Sequence, residues 1–168
     1  QLSGMTTASL PTVTTDKLGT GAVLQVVNSN ISSQVVVTST SPTDIGLSAT
    51  ITPSSTSSKI IVIATATVTC NNNTDLSGAI GWSITDSSNN IIIGSAGDAN
   101  PFDLGGYSSS NWYNQNGVQT KTIVHSPSTT SAFTYKMRGE NGTATNATFN
   151  YNGSYGATSS IILMEVKG

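Results

Sequence analysis

The chain has 168 residues, of which 8% are charged, with a formal net charge of −2 and a single cysteine. Six Lys and Arg residues cannot make the basic footprint that nucleic acid requires, one Cys excludes an intrachain disulfide framework, and no stretch is long and apolar enough for a helical membrane span. The length is that of one domain able to bury a core without staples, and apolar runs recurring through a Ser, Thr, Asn and Gly background mark a folded β protein.

Residues 1–20 are short-sided and polar, with Leu2, Met5, Leu10, Val13 and Leu18 as scattered apolar points. Pro11 and the Ser and Thr clusters argue against a helix, so this segment reads as an extended arm or stem leading into a domain over 21–168. Such an arm cannot bury its own apolar residues, and Leu10 and Val13 are candidate contacts to another chain. Gln1 in place of an initiating Met suggests a fragment or a processed product.

Strands are expected over 21–28, 35–38 and 44–52, the last with Ile45, Leu47, Ala49 and Ile51 alternating strictly with small or polar residues. Pro53 and the following serines turn the chain into Ser57–Cys70, a run about twice the usual strand length of roughly 5–6 residues. One face of this run is Ile60, Val62, Ala64, Ala66, Val68 and Cys70, and its two alanines let an opposing sheet approach closely. Cys70 reads as a small buried hydrophobe. A strand over 78–85 and a short return over 91–93 form a hairpin around the turn residues 86–90.

Order then fades over Gly94–Gly117, which has no sustained period. Strands resume at 118–126, at 131–138 with Phe133, Tyr135 and Met137 on one face, at 144–151 after a turn at 139–142, and at 158–167. In the last of these Ile161, Leu163 and Glu165 alternate with Ile162, Met164 and Val166. Both faces start apolar, so a neighbouring subunit is expected to cover one of them, with Ile161 and Leu163 as candidate interface residues. Nine or ten strands without a helix predict an all-β, two-sheet antiparallel sandwich of jelly-roll type.

Three stretches, GTGAVLQVVN at 19–28, TDIGLSATITPSSTSSKIIVI at 43–63, and SAFTYKMR at 131–138 with SIILMEV at 160–166, together resemble modules of tail fibres and related structural proteins of tailed, especially marine, bacteriophages. The resemblance runs over about 19–167. It implies a homotrimeric head akin to tumour-necrosis-factor-like jelly rolls, located on a virion surface or fibre and joined to other virion proteins through the arm. It brings no catalytic residue, metal or cofactor.

The stretch 94–117 is the candidate recognition loop, with Phe102, Tyr107, Trp112 and Tyr113 beside Asp103, Asn111 and Asn114. Aromatic faces stack on sugar rings while amides and carboxylates bond hydroxyls, and the same residue types suit a protein partner, so a host surface glycan or protein is the expected ligand. The alternative is that these aromatics anchor the loop onto the sandwich. Asp98, Asn100 and Asp103 offer oxygen ligands for Ca²⁺ but lack the EF-hand pattern and read as turn residues. Asp98, Asp103 and Glu140 are the acids from which a glycoside-cleaving pair would be drawn, and they form no recognisable motif. His125, the only histidine, has no nucleophile elbow to serve and reads as an ordinary strand-end residue. Lys136, Arg138 and Glu140 read as a solvated strand face, and Lys136 and Arg138 also as partners for acids across a subunit interface.

Overall fold

In the computed structural model, residues 14, 17–72, 79–94, 104–105, 113–142, 146–151 and 156–168 are described. They form eleven strands and no α-helix: β1 (Val23–Ile31), β2 (Val35–Val37), β3 (Thr43–Ile51), β4 (Lys59–Asn72), β5 (Ala79–Thr85), β6 (Ile91–Gly94), β7 (Leu104–Gly105), β8 (Tyr113–His125), β9 (Phe133–Asn141), β10 (Asn146–Phe149) and β11 (Ser159–Val166). All pairings are antiparallel and divide the strands between two sheets, the sandwich that the strand spacing predicts.

The long strand β4 is the spine of the larger sheet. Along one side it pairs with β8 over its whole length, from Ile60 opposite His125 to Asn72 opposite Tyr113. Along the other it pairs first with β11, then with β10, and these carry β1 and β2 on their outer sides. The smaller sheet has the order β3-β9-β5-β6, with β7 paired to the start of β5.

The alternation of β4 puts Ile60, Val62, Ala64, Ala66 and Val68 into the core, where none of them has any exposed surface. Facing them from the smaller sheet are Leu47, Ile51, Trp82, Ile84, Tyr135 and Met137, all buried. Opposed sheets usually lie roughly 10 Å apart. Ala64 and Ala66 of β4, small and wholly buried, leave room in this layer for larger side chains such as Trp82 and Tyr135.

Two boundaries differ from the sequence expectation. β8 begins at Tyr113, not near residue 118, because the far half of β4 supplies hydrogen-bonding partners through Asn72 that no side-chain period announces. β9 runs to Asn141, straight through the expected turn at 139–142. Gly139 is there for space: a Cβ at this position would collide with the Phe149 ring. Gly46 serves the other glycine role, with φ +84° at the irregularity where β3 shifts register against β9.

Candidate functional site

The registers give the sandwich two distinct ends. At one lie the turn 52–58, the 86–90 hairpin, the segment 126–132, the entry to β1 and the exit from β11. At the other, Asn72 is opposite Tyr113, Asn71 opposite Asn146, Ile80 opposite Asn141 and Ala79 opposite Gly105. The strand ends that flank 73–78, 106–112 and 143–145 therefore lie at this second end. The length of β4 separates the ends by roughly 45 Å, at about 3.3 Å per residue.

The candidate recognition segment is fixed at three backbone points. It leaves β6 at Gly94, which pairs with Ser83, touches the sheet again at Leu104 and Gly105 against β5, and joins β8 at Tyr113. Phe102, Asp103, Tyr107, Asn111 and Trp112 lie outside the described residues, as do Asp98 and Asn100. Tyr113 and Asn114 belong to a strand, paired with Asn72 and Asn71. Leu10 and Val13 also lie outside the described residues.

Ile161 and Leu163 require a correction. Both are wholly enclosed in the core of the single chain, so neither has surface to offer a partner. The outward side of β11 is the alternate set, Ile162, Met164 and Val166, each half-buried.

At the N-terminal end the segment before β1 is tied to the exit of β11. Gly21 N–H donates to Lys167 O at 2.8 Å, Lys167 N–H donates to Ala22 O at 2.8 Å, and the Lys167 ammonium reaches Leu18 O at 2.6 Å. Beside this junction is an open cavity of about 170 Å³ lined by Leu24, Ser54, Ser55, Ser57, Ser58, Lys167 and Gly168.

A carboxylate with four hydrogen-bond donors adjoins that cavity. Glu165 points inward with no exposed surface. Its Oε1 accepts from Ser54 N–H at 2.6 Å, Ser54 Oγ at 2.6 Å and Ser58 Oγ at 2.7 Å, while Oε2 accepts from Gln25 Nε2 at 2.6 Å. Burial pushes the carboxyl up, and the bonds from Ser54, Ser58 and Gln25 more than offset it, holding the pKa at about 2. A carboxylate so held is a poor base. Its work is to fasten the 52–58 turn to β11 and β1, helped by the Gln25 amide, which also donates to Thr52 O at 2.7 Å.

Sequence reasoning did not single out this cage. A lone Glu sharing an inward face with Ile161 and Leu163, and a serine run leading into β4, were the available signals.

His125 sits in a ring cluster. Its Nδ1 lies 2.8 Å from the Tyr135 hydroxyl, and its ring centroid is 5.3 Å from that of Phe133. Burial lowers the imidazole pKa, opposed by the Asp86 carboxylate, and burial raises that of the Tyr135 hydroxyl. The pair is a part-buried polar contact at the end of β8.

The charges on β9 find partners within the chain. Lys136 Nζ lies 3.0 Å from Asp44 Oδ2 and bonds Asn89 Oδ1 at 2.7 Å, and Arg138 Nε lies 2.9 Å from Asp44 Oδ1. Glu140 departs from the expected solvated face: it is 4% exposed, with its carboxyl lying over Gly81 where a Cβ would meet it.

Among the described residues no three His, Cys, Asp or Glu side chains converge as metal ligands, and no helix is long and apolar enough to cross a membrane. Comparison with protein families finds no family model that matches the chain, and comparison with curated proteins finds no match either.

Proposed function

We propose that this chain is a non-enzymatic attachment module, the homotrimeric head of a phage tail fibre or of another virion-surface fibre, with a sandwich of jelly-roll type carried on an extended N-terminal arm. It binds a host surface glycan or protein through its long loop. The observation that supports this reading is the separation of the ends: Gly105 and Tyr113, which flank 106–112, lie at the end opposite the Leu18–Ala22 junction. A stem entering at one end leaves the other directed at a cell. Three weak sites on one rigid head would raise avidity by factors of roughly 10² to 10⁴.

The test is cell binding by two variants of the full chain, one with 95–112 replaced by a Gly-Ser linker and one lacking 1–13. Loss of binding in the first with retained β-sheet circular dichroism, and retention in the second, supports attachment. Undiminished binding after loop replacement sinks it.

A second reading, a capsid-decorating or filament-forming subunit assembled through its arm, is favoured by a different observation. Among the described residues β8 pairs with β4 alone, so one long side of a 13-residue strand is open to strand addition. Open-ended assembly that disappears when 1–13 are removed would select this reading.

A further inference from the structure

We infer that the outer face of the six-stranded sheet is the surface through which copies of this chain associate. The contact is face to face between two copies and is therefore distinct from a threefold contact of the reading above; it rests on the sheet alone and stands whether or not the head binds cells.

The registers align the outward residues of four adjacent strands into rows. The first is Val23, Val166 and Lys59; the second is Val26, Met164, Ile61 and Val124. The third is Asn28, Ile162, Ile63 and Thr122, and beyond it come Asn30, Ser160, Thr65 and Thr120. Eight aliphatic side chains thus adjoin one another on the side of the sheet away from the core. Val26 and Val124, at the two margins of their row, are each 58% exposed. Lys59 at the corner is the only charge in these rows.

Scattered exposed aliphatics are ordinary, whereas a contiguous patch marks an interaction surface. Four strands about 4.8 Å apart and four rows about 6.8 Å apart give a face of roughly 500 Å², against the roughly 800 Å² per partner of a standard interface. The polar rows are prepared for covering. Thr65 and Thr120 hydroxyls bond each other at 3.0 Å, and the Thr67 hydroxyl donates to Thr158 O at 2.9 Å, so these three hydroxyls keep a partner when covered, while the Asn28 and Asn30 amides lie on β1 at the margin of the face.

The width of the face decides the occupant. A single extended segment covers a strip about one strand wide, and residues 1–13 offer only Leu2, Met5, Leu10 and Val13 at irregular spacing. A second copy presents a face of the same breadth, whose one charge, Lys59, lies at the corner. Two such faces bury one another with that charge left at the rim.

The test is the solution mass of the full chain by light scattering. Ile162→Glu is expected to reduce it to that of one chain with circular dichroism unchanged, while Ser48→Glu, on the outer side of the smaller sheet, and deletion of 1–13 leave it unaltered. A monomeric parent chain at micromolar concentration, or an oligomer that survives Ile162→Glu and is lost with residues 1–13, overturns the inference. Should Ile162→Glu fail to fold, thiol labelling of Thr122→Cys and Ser48→Cys in the intact chain replaces it: at least tenfold slower labelling at 122 supports the interface, and equal rates overturn it. An oligomer dissociated by Ile162→Glu that never binds cells removes the attachment reading and leaves this interface standing.

Discussion

Glu165 Oε1 accepts both the backbone N–H and the hydroxyl of Ser54, each at 2.6 Å, so one carboxylate oxygen holds the end of a turn 111 residues away in sequence. Ser58 adds a third bond to the same oxygen and Gln25 takes the other. The serine-rich connection between β3 and β4 is ordered by a charge that reaches it from β11.

Acid stability should report this contact. The Glu165 carboxyl has its pKa lowered from 4.5 to about 2, so its contribution is full above pH 4.5 and is lost as pH falls toward 2. Glu165→Gln should remove about 1.5–3 kcal/mol at pH 7, the range for hydrogen bonds to a charged group, and flatten the unfolding free energy between pH 4.5 and 2, measured by urea titration at several pH values. A variant as acid-sensitive as the parent would assign the acid limb to other carboxylates.

His125 is the only histidine, so its titration has a single reporter. Burial lowers its pKa below 6.5, which places its contribution above pH 6.5 and removes it as pH falls. Asp86 opposes that shift, its carboxylate held by bonds from Ser88 N–H, Asn90 N–H and the Asn90 amide. Imidazole proton resonances should therefore titrate below 6.5 in the parent and lower still in Asp86→Asn. An unchanged midpoint in Asp86→Asn would show that the carboxylate does not act on the ring.

Gly139→Ala tests close packing between the sheets. The added methyl would collide with the Phe149 ring and press on Ile45 Cγ2, and overpacking of this kind costs about 1–3 kcal/mol. Phe149→Leu in the same chain should recover part of the loss, giving a coupling that chemical denaturation can read. Additive losses would place the strain in the backbone instead.

These contacts separate what the amino-acid pattern carries from what it does not. Strict alternation in 45–51 and 60–68 was legible because each residue there answers only to the inside or outside of one sheet. The start of β8 was not, because Tyr113 to Gly117 are held by the facing residues of β4 and follow no apolar period of their own. Gly139 reads as a turn in isolation, and only the Phe149 ring explains it as a strand residue. On β11 the period was plain, but which of its two apolar sets faced inward depended on Glu165 finding Ser54, Ser58 and Gln25. The composition of 94–117 pointed to a recognition segment without giving its end of the sandwich, which follows from strand pairing alone.

Lys121 bears on the side of β8 that no described strand pairs. Its ammonium bonds Trp82 O at 2.9 Å and lies 4.7 Å from the Trp82 ring centroid, so a cation on an edge strand points inward between the sheets. Inward-pointing charges of this kind discourage edge-to-edge pairing, since a strand shifted by one residue would carry the charge to the other face. Lys121→Met keeps the aliphatic stem and removes the charge. It should cost about 1 kcal/mol by denaturation, from the lost bond and the ring contact. It should also lower the temperature at which light scattering detects aggregation by more than that stability loss explains. An onset that simply tracks the melting temperature would leave Lys121 a packing residue, and the side of β8 would then be protected by something other than charge.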